Sequence, residues 1–211
     1  MNILGHVVEF DELTHTYTVD GVIVPSVSTI LGATLFKGKY DGVDLSVLRA
    51  KAEWGKQVHH AIETDDVSNL DELQFQKYDE YLGITLKNDL QPLLHEQVVF
   101  YKVDDKVVYI GKFDLLAQQL GSLLLCDIKT TYTLDLNYLI WQLSMYKLAY
   151  EQMYQKEIDG LFAIWLPKRE SGKFVRVDNH DIVKGKSVGE HRVKTVDEIK
   201  EVLISYEQTI I

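Results

Sequence analysis

The amino-acid sequence predicts an α/β fold: a central mixed β-sheet flanked by helices, preceded by an N-terminal β-hairpin. Three observations carry that reading. Between residues 96 and 128 three strand-length segments follow one another, separated only by the turn residues Asp104-Asp105 and Gln119-Leu120-Gly121. Segments with apolar residues at three- and four-residue spacing bracket this run on both sides. Near the start, His15 to Val19, then Asp20-Gly21, then Val22 to Val24 form a hairpin signal, because Asp-Gly supplies the positive φ angles of a tight turn.

Taken in order, the hairpin is followed by Pro25-Ser26-Val27-Ser28-Thr29-Ile30-Leu31, whose serines are placed to cap a short helix. A glycine-rich connection from Gly38 to Gly42 leads to a helix from about Ser46 to Thr64, with Val47, Leu48, Ala52, Val58, Ala61 and Ile62 on its apolar face. A second helix runs from about Asp71 to Asn88. The strands Glu96–Lys102, Val107–Ala117 and Ser122–Ile128 then form an antiparallel meander. A helix from Leu136 to Met153, strands at Leu161–Leu166 and Phe174–Val177, and a last helix at Val196–Glu207 complete the chain. No internal repeat or domain linker interrupts it.

Composition narrows the function classes. With 211 residues, 46% hydrophobic and 26% charged, the chain suits one globular domain with a substantial core. It contains no run of about 18 apolar residues, and Met1-Asn2-Ile3-Leu4-Gly5-His6 does not open a secretory signal. The expectation is a cytoplasmic protein with no membrane partner. The one cysteine, Cys126, excludes an internal disulfide framework and a four-cysteine zinc or iron–sulfur site within one chain. A net charge of −10 is unusual for a protein that grips phosphate backbones. The charge is uneven, however. From Lys168 to Lys194 eight cationic side chains face four carboxylates, a local excess of +4 that reads either as a basic surface or as an ordinary solvated stretch.

The chemistry concentrates where the meander ends. Leu123-Leu124-Leu125-Cys126-Asp127-Ile128-Lys129 is an apolar run that closes in a carboxylate, an apolar residue and an ammonium. Asp127 and Lys129 share a strand face, and the Gln119–Ser122 turn can bring Asp114 alongside. Two carboxylates and a backbone carbonyl are oxygen ligands suited to Mg²⁺ or Mn²⁺. Lys129, close to such a cation, is expected to have a lowered pKa. Taken alone, Asp127 and Lys129 are equally well read as a strand end with an ordinary salt bridge. On the Ser46–Thr64 helix, Gly55, His59 and Glu63 recur every four residues along one face, with Gly55 permitting close approach of a backbone or phosphate. Gln142 and Tyr146 share a face of the following helix, a pattern that on its own is commonly core-edge packing.

Gly55-x-x-x-His59 with Glu63, Gly111-x-x-Asp114, Asp127-Ile128-Lys129-Thr130-Thr131 and Gln142-x-x-x-Tyr146 together resemble the PD-(D/E)XK nuclease superfamily, in its RecB-type and phage lambda-exonuclease-like branch. The likeness covers roughly Trp54 to Tyr150, and Pro25 to Leu31 is similar to the opening of phage members. Phe113 stands where the superfamily name places proline. The resemblance implies a restriction-endonuclease-like core in a single nuclease domain over 1–211: a hairpin and short helix at 1–45, a catalytic core at 46–180 and a C-terminal helix region at 181–211. It implies one or two Mg²⁺ or Mn²⁺ ions held by His59, Asp114, Asp127 and the Ile128 carbonyl; the iron–sulfur cluster that accompanies this spacing in certain branch members cannot be supported by the lone Cys126. Lys129 would be the general base or electrostatic stabiliser, and Glu63 would hold a water. Gln142, Tyr146, Thr130 and Thr131 would contact DNA.

The implied activity is metal-dependent exonucleolytic hydrolysis of DNA phosphodiesters in phage or mobile-element recombination or repair, leaving a 5′-phosphate and a 3′-hydroxyl. A homo-oligomer encircling DNA, and a recombination annealing protein, are further partners it allows. Rival readings are a structure-specific endonuclease or resolvase of the same fold, a noncatalytic nucleic-acid-binding module, and a hydrolase of another ester.

Overall fold

The structure, a computed structural model, describes residues 1–39, 41–178, 182–183, 186–187 and 191–210, with 182–183 and 186–187 described as backbone strands only. Part of the basic 168–194 stretch, including Lys184 and Glu190, therefore lies outside the described residues.

The central sheet has five strands: β5 (Gln91–Val103), β6 (Lys106–Gln119), β7 (Ser122–Lys129), β8 (Gly160–Trp165) and β9 (Lys173–Arg176) in that spatial order. β5, β6 and β7 form the expected antiparallel meander. Its turns place Asp104, Asp105, Leu120 and Gly121 at positive φ. β7 and β8 run parallel, so helix α4 (Leu136–Tyr154) must cross over between them. The result is a mixed sheet.

Two apolar layers cover it. On one side, α1 (Val27–Ala33), α4 and α5 (Val196–Thr209) pack with Val99, Tyr109, Leu125 and Leu161. On the other, α2 (Leu45–Thr64) and α3 (Glu72–Lys87) bring Val58, Ile62, Tyr81 and Ile84 against Leu124, Cys126, Ile128 and Ile164. Strand alternation explains the division along β7: Leu125 faces one layer while Cys126 and Ile128 face the other. In β6 that alternation breaks. Phe113 and Leu116, of opposite parity, both pack in the α4 layer, while Leu115 joins the α2 layer. Asp114 sits at the break.

The N-terminal appendage is larger than a hairpin. β3 (Thr16–Val19) and β4 (Val22–Val24) flank Asp20 and Gly21, both at positive φ as the turn requires, and β2 (His6–Asp11) and β1 (Asn2–Ile3) extend the sheet to four antiparallel strands. Two-residue β1 is too short to announce itself by alternation. The inner face of this sheet, Ile3, Val8, Val19 and Val24, packs on Val98, Phe100 and Ile110 of β5 and β6. Ser26 caps α1 by accepting from the Thr29 N–H, as its sequence predicts. Two short strands, β10 (Ile182–Val183) and β11 (Lys186–Ser187), pair with each other near the C-terminus. Among the described residues no helix is long and apolar enough to cross a membrane.

Candidate metal centre

Asp114 leaves β6 beside the tip of β7, where Leu115 pairs with Cys126. Its Oδ2 accepts the Ile128 N–H at 2.6 Å, which fixes the carboxylate and leaves Oδ1 directed at α2. Val58, Ala61 and Ile62 bury the inner face of α2, and His59 stands beside them at the helix edge. Its Nδ1 lies 3.7 Å from Asp114 Oδ1 and 3.8 Å from Glu96 Oε1. One donor atom from each of His59, Glu96 and Asp114 falls within 4.8 Å of the others, a spacing that could hold a metal ion.

Glu96 has no counterpart in the sequence-level ligand set. It arrives through the register of β5 between its two irregularities, at Pro92/Leu94 and Tyr101/Lys102: His95 pairs with Leu115 and Gln97 with Phe113, which sets Glu96 across from Asp114, and Glu96 itself has a left-handed φ of 48°. Its other oxygen is in contact with the Lys112 ammonium.

The second half of the site is Asp127 and Lys129. Their side chains share a face of β7, with Asp127 Oδ2 2.7 Å from Lys129 Nζ. That oxygen is buried, and among the described residues the Lys129 ammonium is the group it faces. Burial raises the Asp127 carboxyl to about 6, against the opposing pull of Lys129 and with further upward pressure from Asp114. For Lys129 burial alone would lower the pKa, but Asp127 and Asp114 outweigh it and the ammonium is held above its ordinary value. The carboxylates nearest the ammonium set this direction; the lowering expected from the sequence belongs to a site with a cation beside it. Burial likewise opposes protonation of His59, and Asp114 with Glu96 overcomes it, so the imidazole pKa is raised. Burial pushes Glu96 upward, while His59 and Lys112 bring it below the ordinary carboxylate value.

The donor set fits a hard divalent cation. Three oxygen- or nitrogen-donating side chains converge, and the buried Asp127 carboxylate stands beside them. The same electrostatics predict a pH effect on the ion-free protein. An acid whose folded pKa is raised stabilises the fold below its unfolded pKa of 3.8, and that contribution disappears as pH rises through about 6. In EDTA, the Tm of the parent should therefore fall relative to that of Asp127→Asn between pH 4 and 6.5. A constant difference across that window would contradict the assigned shift.

Other residues singled out from sequence sit differently. Glu63 is exposed and forms no hydrogen bond among the described residues; its charge acts on Lys112. Ile128 is buried in the α2 layer and engages Asp114 through its N–H. Gly55 gives room to Thr130: a Cβ at 55 would lie 2.7 Å from Thr130 Oγ1. Thr131 donates its hydroxyl to the Thr133 carbonyl. Gln142 and Tyr146 are interior groups. Gln142 Nε2 donates to the Tyr146 hydroxyl at 3.1 Å, and a Cβ at Gly111 would press into the Tyr146 ring. Burial raises the Tyr146 phenol well above its ordinary pKa, and the charge of Asp127 adds to the shift. Gln142 Oε1 is buried without a hydrogen-bond partner among the described residues.

No protein-family model matches the chain, and no curated protein does. Among solved structures it is similar to SSO0001, at 12% identity over 89% of this chain and 74% of that one, with a TM-score of 0.46. It is also similar to a Eubacterium rectale protein described provisionally as an exonuclease, at 11% identity over 89% of this chain and 78% of that one, with a TM-score of 0.47. Likenesses this distant carry no argument about activity, which has to come from the site.

Proposed function

We propose that the chain is a metal-dependent nuclease that hydrolyses DNA phosphodiester bonds, acting as an exonuclease. The observation that supports this most is the juxtaposition of the His59, Glu96 and Asp114 donor group with buried Asp127 and its partly exposed partner Lys129 at adjacent strand tips. The residue pattern of the PD-(D/E)XK superfamily, given above, agrees with that placement.

A bound Mg²⁺ or Mn²⁺ would supply Lewis acidity and a more acidic water. His59, Asp114 and Glu96 would hold it, and Asp127 would complete the oxygen set through the oxygen now facing Lys129. Asp114 also accepts the Ile128 N–H, which keeps its carboxylate from swinging when charge in the site changes. Lys129, whose ammonium stands 2.7 Å from Asp127 Oδ2 at the strand tip, would stabilise charge on a phosphoryl oxygen. Tyr146 and Gln142 support the floor beneath Asp127 from α4, a positioning role in place of direct DNA contact. Service in phage or mobile-element recombination or repair, and assembly into a DNA-encircling oligomer, belong to the resemblance alone.

The test is degradation of linear DNA by the purified protein with Mn²⁺ and with EDTA, beside covalently closed circles. Loss of linear DNA only when the ion is present, with circles spared, is the expected result. Nicking of circles would favour the endonuclease reading, and no cleavage with Mg²⁺ or Mn²⁺ would sink the proposal. Asp114→Ala should abolish heat of Mn²⁺ binding in titration calorimetry.

A further inference from the structure

The segment leaving Lys129 is bordered by two indoles, and each carries a lysine. On one side, Gly55 of α2 abuts Thr130, and the residue before it, Trp54, has its ring fixed by donation from Nε1 to Asp71 Oδ2 at 3.2 Å. Lys168 Nζ lies 3.8 Å from the centre of that ring. On the other side, Trp165 Nε1 donates to the Thr131 carbonyl at 2.8 Å, and the Leu166 N–H donates to the Lys129 carbonyl at 2.7 Å. Lys173 Nζ sits 4.8 Å from the centre of the Trp165 ring. Both lysines belong to the basic stretch that begins at residue 168.

The two differ in how they are neutralised. Lys173 forms an ion pair with Glu170 at 2.9 Å. Lys168 is exposed and has no carboxylate partner among the described residues. Seating the ammonium on an aromatic face holds it in place without spending its charge on an acid, and its outward N–H donors remain directed at solvent. An anion passing over Thr130 would meet it.

We infer that Lys168, seated on Trp54, grips a backbone phosphate of the DNA strand that crosses the Asp114–Asp127–Lys129 site. The inference rests on the nuclease reading and deepens it: one fixed cation at the mouth of an acidic site offsets the charge that would otherwise repel the substrate. Binding through this residue is independent of base sequence.

The experiment separates grip from chemistry. In an Asp114→Asn background, anisotropy of a fluorescein-labelled oligonucleotide is followed across a salt series, single-stranded and as its duplex, for Lys168→Ala, Lys168→Arg and the otherwise unchanged protein. Lys168→Ala should weaken binding several-fold and reduce the slope of log K against log salt by about 0.7 for the single strand or 0.9 for the duplex. Lys168→Arg should keep both. In the cleavage-competent protein, Lys168→Ala should raise KM and leave kcat within about twofold, since a distant phosphate grip is uniform binding. Unchanged affinity and slope, or a fall in kcat with KM constant, would overturn the assignment while leaving the nuclease reading standing. Failure of the parent protein to bind or cleave any DNA would overturn both.

Discussion

Replacing Lys129 with alanine should lower the cleavage rate roughly a thousandfold, in the range seen when one charge-stabilising donor is removed from an active site, while Mn²⁺ binds at least as tightly as before. The reasoning is electrostatic. The ammonium stands 2.7 Å from Asp127 Oδ2 and competes with any cation for that oxygen. Its removal leaves Asp127 more available to an ion and removes a repelling charge that also acts on His59. The lost donor is felt only when negative charge develops on the phosphoryl group. Asp114→Ala behaves differently, because its oxygens both contribute to the donor group and accept the Ile128 N–H; ion binding and cleavage should vanish together. Calorimetry with Mn²⁺ beside single-turnover cleavage distinguishes the two variants. If Lys129→Ala loses ion affinity, or keeps the parent rate, its assigned role is wrong.

The largest stability effect is expected far from the chemistry, at Glu80→Ala. Lys77 is 1% exposed, and its ammonium donates to both Glu80 oxygens at 3.0 Å and to the Glu170 carbonyl at 2.9 Å. Glu80 Oε2 also accepts the Gly172 N–H at 2.8 Å. Removing the carboxylate strands a buried cation, a loss of about 3–5 kcal/mol, or roughly 10 °C in Tm for a chain of this size. Lys77→Met should cost much less, since the carboxylate left behind can turn to water and an apolar side chain of similar volume fills the space. Adding Lys77→Met to Glu80→Ala should then recover most of the loss. Thermal and urea unfolding of the two single variants and the double variant check this, and a Glu80→Ala loss below about 1 kcal/mol would refute the buried-pair account. Because Glu170 and Gly172 follow Lys168 closely in the β8–β9 connection, Glu80 also steadies the segment that carries the inferred phosphate grip.

The elements were legible in the sequence because they obey simple periods. Asp20-Gly21 and Asp104-Asp105 turn where their residues tolerate positive φ, and Gly121 serves the third turn although Leu120 is also held there. The apolar spacing of α2 places Val58, Ala61 and Ile62 inward as expected, while Val47 and Ala52 nearer its start are exposed. The pairing of Asp127 with Lys129 followed from strand parity. Glu96 did not follow, and the reason is specific. The two-residue turn at Asp104-Asp105 pairs Val103 with Lys106, a register that would set His95 opposite Asp114. An irregularity after the Lys102–Val107 pair shifts the register by one residue, so that Glu96 takes that place. Nothing in the local composition announces that shift. The burial of Gln142 and Tyr146 was equally hidden, because helical spacing says that two residues share a face but not whether that face meets solvent.

Glu96 also sets two demands on one residue against each other. At φ of 48° a side chain beyond the α-carbon is uncomfortable, at a cost on the order of 1 kcal/mol, and glycine would relieve it. Selection for thermostability alone would favour glycine at this position, at the expense of a carboxylate beside His59 and Asp114. A glutamate retained there across descendants of this chain would therefore record a need for its charge that outweighs the comfort of the backbone.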